Sequence, residues 1–228
     1  MINSVEEIEK LKASSKLADD CYYYICDNIK VGMTEIEVAK LIDDYFMSHG
    51  ASGVSFETIV GSGPNSALIH SVPSDRTIEF GDIVQLDFGC ILDGYCSDCS
   101  RVLFMGKVDE EYKKIYDIVY EAQKFGVENA KAGMKACEVD SLCRNIVKLS
   151  GYDFNHSVGH SVGKEVHSGL VISYKNNNDI IEDGMVITIE PGIYLEGKFG
   201  IRIEDTCLVE DGKLVPLNKT SKEIVIID

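Results

Sequence analysis

The chain has 228 residues, 45% apolar and 26% charged, enough to bury a sizeable core and unlike a disordered tail, a fibre or a disulfide miniprotein. Lys and Arg number 22 against 38 Asp and Glu, and the formal charge of -16 disfavours nucleic acid and anionic membranes as partners. The 8 cysteines form no regular framework, the N-terminus carries no apolar leader, and no apolar run reaches the roughly 18 residues of a membrane helix. A cytoplasmic protein with reduced thiols is expected. The one Cys-x-x-Cys, Cys96 to Cys99, lacks the second pair that a structural zinc needs.

Ser4 and Glu7 have capping-box spacing, and Ile8, Leu11, Ala18 and Ile25 predict a first helix. Gly32-Met33 breaks it. Thr34 and Glu37 cap a second helix, whose Val38, Leu41, Ile42, Tyr45 and Phe46 share one face, and Gly50 ends it. From Ser55 to Met105 short β-rich runs alternate with Gly and Pro. The order then repeats. A helix from Asp109 to about Ala130 carries Ile115, Ile118, Val119 and Ala122 on one face. Gly133-Met134 breaks it, a further helix carries Val139, Leu142, Cys143, Ile146 and Val147, and Gly151 ends that one. In the strand regions Gly81 corresponds to Gly184, Asp87 to Glu190, Gly89 to Gly192, Gly94 to Gly197, Asp98 to Glu204 and Ser100 to Thr206. Two helix-helix-strand halves, 1–105 and 106–228, are expected to fuse through a pseudo-twofold into one α+β domain.

Each half carries two acids on what reads as a β-hairpin: Asp87 and Asp98 around Gly89 and Gly94, and Glu190 and Glu204 in the matching place. The pseudo-twofold would bring all four to one centre. Four carboxylates in a partly dry site do not stay ionised together without cations. The competing reading, exposed strand residues, fits poorly with the apolar runs that flank Glu190 and Glu204. Three histidines, His156, His160 and His167, fall in one segment whose Gly159 and Gly163 make it a poor helix, so helical HExxH zinc logic does not apply. One imidazole with four carboxylates is a hard, oxygen-rich set able to hold two divalent ions, favouring Mn, Co, Fe(II) or Mg over a thiolate-type zinc site.

Leu86-Asp87-Phe88-Gly89 with Asp98, His156-x3-His160-x6-His167, Ile189-Glu190-Pro191-Gly192 and Arg202-Ile203-Glu204-Asp205 together resemble the pita-bread metallopeptidases, which include methionine aminopeptidase, aminopeptidase P and prolidase. The Glu190 to Tyr194 and Gly200 to Asp205 stretches are similar to the Xaa-Pro branch. The resemblance covers nearly the whole chain and implies a pita-bread fold around a curved antiparallel sheet. It implies two divalent ions, Mn(II) first and Co(II), Fe(II) or Zn(II) as alternatives. Asp87 and the pair His160 and Glu190 would hold one ion each, and Asp98 and Glu204 would bridge them. His70 and His167 would face the substrate, Glu190 would also move the proton, and His156 and Arg202 would support the site or line the pocket. The implied activity is hydrolysis of the N-terminal bond of Xaa-Pro peptides or dipeptides by a metal-bridging hydroxide. Removal of initiator methionine and a non-catalytic peptide-binding module are the alternatives. The implied partners are a small peptide substrate and a second copy in a homodimer, without nucleic acid or membrane. The N-terminal domain usual in the Xaa-Pro branch is expected to be absent. Ser100 stands where Thr is usual, Ser168 where an acid is usual, and Ile69 where Pro is usual.

Overall fold

The computed structural model describes residues 2–228. Helix α1 (Val5–Asn28) begins at Ser4, whose hydroxyl accepts from the Glu7 amide while the Glu7 carboxylate accepts from the Ser4 amide. The same reciprocal cap, Thr34 with Glu37, opens α2 (Glu35–Ser48). The first half continues through β1 (Gly53–Val54), β2 (Ile59–Ser62), a 3-10 turn at Gly63–Ala67, β3 (Ile83–Phe88), β4 (Cys90–Leu92), β5 (Tyr95–Cys96) and β6 (Cys99–Met105). The second half contains α3 (Glu110–Asn129), α4 (Ala136–Leu149), β7 (Gly159–His160), β8 (Val171–Ile172), β9 (Val186–Ile189), β10 (Gly192–Leu195), β11 (Phe199–Arg202), β12 (Asp205–Glu210), β13 (Lys213–Pro216) and β14 (Val225–Ile227).

The duplication appears in the burial pattern. On α2, Val38, Ile42 and Phe46 are buried while Leu41 and Tyr45 are half-buried. On α4, Val139, Cys143 and Val147 repeat the buried set, and Leu142 and Ile146 the half-buried one. Helices α1 and α2 pack on Val84, Leu86 and Phe88 of β3. Helices α3 and α4 pack on Ile187, Ile189 and Cys207 of β9 and β12. Strand alternation therefore turns Gln85 and Asp87, and likewise Thr188 and Glu190, away from the helices that cover their half.

Strands β2, β3, β6 and β14 form one sheet, with β3 beside β6, and β9, β12 and β13 form the matching one. Asp87 lies opposite Ser100 in the first, whereas Thr188 lies opposite Thr206 in the second. The second ladder is thus displaced by about two residues, an offset that preserves which side chains face the helices. The expected single antiparallel sheet is corrected in two respects. Strand β14 runs parallel to β6, and the halves do not share a continuous ladder. Between β3 and β11 the Gln85 amide replaces the missing backbone pairs, accepting from the Arg202 amide at 2.7 Å and donating to the Arg202 carbonyl at 3.3 Å. Beside it the Glu204 amide donates to the Ser100 carbonyl at 3.2 Å. Among the described residues, no helix is long and apolar enough to cross a membrane.

Candidate metal centre

A cavity of about 530 Å³ opens between the halves. Its wall contains all nine residues picked out from the sequence: His70, Asp87, Asp98, His156, His160, His167, Glu190, Arg202 and Glu204. An apolar portion is formed by Phe56, Ile59, Ile69, Val72, Pro73, Val166 and Val171.

Asp87 stands near the end of β3, and Asp98 in the break between β5 and β6. His160 lies on β7, Glu190 directly follows β9, and Glu204 sits in the break between β11 and β12. Asp98, His160 and Glu204 present ligand atoms all within 4.8 Å of one another. The His160 Nε2 is 3.4 Å from Asp98 Oδ2 and 3.5 Å from Glu190 Oε1. Asp87 is held by Arg202, whose Nη2 donates to Oδ2 at 2.5 Å, while Asp87 Oδ1 is buried without a partner.

Burial and the neighbouring carboxylates push Asp98, Glu190 and Glu204 up. Asp98 rises to about 6, against the pull of His160. Glu190 rises to about 7 and Glu204 well above the usual carboxylate range, in both cases chiefly through burial. Burial opposes charge on His160 too, but Asp98 and Glu190 outweigh it and hold the imidazole up at about 9. Burial and the neighbouring His160 and His70 lower His167, leaving it neutral at pH 7.

Arg202 organises one wall. Its Nε donates to Ser100 Oγ at 3.0 Å, and that hydroxyl donates to Glu204 Oε2 at 2.8 Å. Its Nη1 donates to the Tyr194 hydroxyl at 2.9 Å, and Tyr194 lies 3.0 Å from His156 Nε2. With the His156 Nδ1 proton on the Ser157 carbonyl at 2.7 Å, Nε2 is free to accept from Tyr194. Burial, with Arg202 nearby, drives His156 down to about 4, so it serves this network as a neutral ring.

Strand β11 ends at Arg202, the guanidinium grips Asp87, and Glu204 is reached through Ser100. The ladder breaks at Ser97 and Asp98, and the Cys96 thiol donates to the Lys164 carbonyl at 3.5 Å. All eight cysteines are free.

Sequence reasoning missed several supports. Neither the match of Ser100 with Thr206 nor the motif that contains Tyr194 points to their contacts with Arg202. Thr188 accepts from the His160 amide at 3.1 Å and donates to Glu190 at 3.3 Å. Its place two residues before Glu190 on one strand face was the available signal. Glu35, fully buried, accepts from the Ser62 amide at 2.7 Å and the Ser74 amide at 3.1 Å, fastening both ends of the segment that carries His70. Nothing in its helix-start sequence distinguishes this role from an ordinary first-turn acid.

Four convergent carboxylates, one imidazole and an unpartnered buried carboxylate oxygen suit divalent cations with hard ligands. Cations would relieve the burial penalty and the mutual repulsion that raise Asp98, Glu190 and Glu204. A pita-bread α+β fold with this set at its centre defines a metallopeptidase architecture. The sequence pattern of metallopeptidase family M24 matches residues 9–211, and the chain belongs to that family. It is 42% identical to a Xaa-Pro dipeptidase of Pyrococcus furiosus, over 99% of this chain and 65% of the relative. It is also 42% identical to an uncharacterised peptidase of Bacillus subtilis, over 100% of this chain and 65% of that protein. Among solved structures, an X-Pro aminopeptidase from Thermotoga maritima superposes with a TM-score of 0.96 at 39% identity, covering 100% of this chain and 65% of the other. The chain therefore spans just under two thirds of the length of these relatives.

Proposed function

We propose that residues 1–228 form the catalytic unit of a metal-dependent exopeptidase that hydrolyses the N-terminal bond of Xaa-Pro peptides or dipeptides. The observation that carries this reading is the convergence of Asp87, Asp98, His160, Glu190 and Glu204 on one cavity, with Asp87 Oδ1 left unpartnered. The relatives named for Xaa-Pro cleavage support the substrate class. Both halves, 1–105 and 106–228, supply ligands, which supports treating them as one unit.

Asp87, Asp98, His160, Glu190 and Glu204 would hold two divalent ions, Mn(II) first. Bound ions supply Lewis-acid polarisation and acidify the attacking water. Glu190 takes the water proton and returns it to the leaving nitrogen. Neutral His167 donates to the developing oxyanion. His70 positions the peptide from the opposite loop. The apolar wall around Phe56, Ile59 and Val72 fits a proline ring and shields the reacting bond from bulk water. Small peptides are the proposed partners together with a second copy of the chain, and the eight thiols are consistent with a cytoplasmic setting.

Turnover of an Xaa-Pro dipeptide, an Xaa-Pro tripeptide and a Met-Ala peptide by the Mn(II)-loaded protein tests the reading. Proline-directed hydrolysis that a chelator abolishes is expected. Selective cleavage of the Met-Ala peptide assigns methionine removal instead, and metal binding without any turnover assigns a binding module.

A further inference from the structure

Behind the cavity lies a buried ionic cluster that the proposed chemistry does not use. Arg101 is 1% exposed and follows Ser100 on β6, so it points to the opposite strand face. Its Nη1 donates to the Ser100 carbonyl at 2.9 Å and to the Glu204 carbonyl. Its Nη2 donates to Asp205 Oδ1 at 2.7 Å, and its Nε has no partner. Asp205 is fully buried, and its second oxygen accepts from Gln123 of α3 at 3.0 Å and from Lys222. Buried ion pairs are poor stabilisers, because desolvation offsets their attraction and apolar residues often serve the fold as well. An orphaned guanidinium nitrogen makes this one poorer still.

The geometry supplies another reason for it. The two acids read as bridging both metals have their backbone carbonyls held from the opposite half of the chain. Thr206 Oγ1 donates to the Asp98 carbonyl at 2.8 Å, and Arg101 donates to the Glu204 carbonyl. Glu204 lies in a strand break, where its amide donates to the Ser100 carbonyl and its own carbonyl, outside any strand ladder, is held by Arg101 and more distantly by the Cys99 thiol. We propose that Arg101, oriented by Asp205, is a positioning residue that clamps the Glu204 peptide and thereby sets the cation affinity of the site. This rests on the metallopeptidase reading of the cavity.

The test is Mn(II) binding, read from the electron paramagnetic resonance of free Mn(II), beside the thermal melting of metal-free protein. The variants are Arg101→Lys and the double variant Arg101→Met with Asp205→Asn. Arg101→Lys keeps the charge but loses the fork that reaches carbonyl and carboxylate together. It should fold and bind Mn(II) about 10- to 100-fold more weakly. The double variant removes both charges and should melt close to the wild type while showing the same loss of affinity. A folded Arg101→Lys protein with wild-type Mn(II) affinity overturns the proposal, whatever the double variant does. Should the wild type itself bind no divalent ion, the metal reading of the cavity fails instead.

Discussion

At the scale of single residues, the proposed chemistry separates groups that would hold cations from groups that would act on a substrate. Glu204 is 1% exposed and lies among Asp98, His160 and Ser100, so its loss removes a ligand from the centre of the set. His167 lies beside His160 with ring centroids 4.2 Å apart and the rings tilted by 53°, and in the proposed chemistry it faces the substrate. Glu204→Ala is therefore expected to lose metal occupancy. His167→Ala should keep it while kcat falls on the order of 100- to 1,000-fold, the usual cost of one oxyanion donor. Metal analysis beside steady-state kinetics on one Xaa-Pro peptide checks both, and equal metal loss in the two variants would make His167 a ligand. The four acids were legible in the sequence because the duplication repeats their spacing, and three of the histidines because they crowd into one glycine-broken segment. The wiring between them was not: which carboxylate Arg202 grips depends on where β11 stops, and no local pattern encodes that end.

At the scale of elements, the site depends on close approach of strands. Strand β7 reaches β9 so tightly that a Cβ on Gly159 would lie 1.9 Å from the Thr188 carbonyl oxygen. Gly89 makes the same approach in the first half, 1.9 Å from the Ser97 carbonyl oxygen. Gly159→Ala must push β7 away from β9, separating His160 from Glu190. The expected result is a loss of about 1–3 kcal/mol in stability, as for other overpacked sites, with weaker Mn(II) binding. Denaturant melts and a metal titration check it, and unchanged values in both would show that β7 shifts freely. The four helices and their buried faces were readable because an amphipathic helix declares itself over local spacings of three and four. The parallel pairing of β14 with β6 was not, since it joins segments more than a hundred residues apart through ordinary apolar runs.

At the scale of the whole molecule, two halves are joined around a set of groups that bind protons more tightly folded than unfolded. Glu190 at about 7, Glu204 well raised and His160 at about 9 all have higher pKa values than in the unfolded chain. The folded metal-free protein thus binds more protons than the unfolded one between pH 6.5 and 9. Its stability must fall as pH rises across that window. His156 and His167, lowered instead, oppose this trend only near pH 6.5, where the unfolded rings still bind protons, and the raised groups outweigh them. Melting temperature of chelator-treated protein should decline from pH 6.5 to 9, and saturating Mn(II) should reverse the decline, because cations replace the protons. A flat or rising profile would mean that the acids are not mutually raised.

The most direct measurement is anomalous X-ray diffraction at the manganese edge on crystals of the protein loaded with Mn(II). Two peaks within the cavity are expected. One lies beside Asp87, the other beside His160 and Glu190, and Asp98 and Glu204 stand between them. Peaks confined to surface carboxylates, or an empty cavity in Mn(II)-saturated crystals, would contradict it.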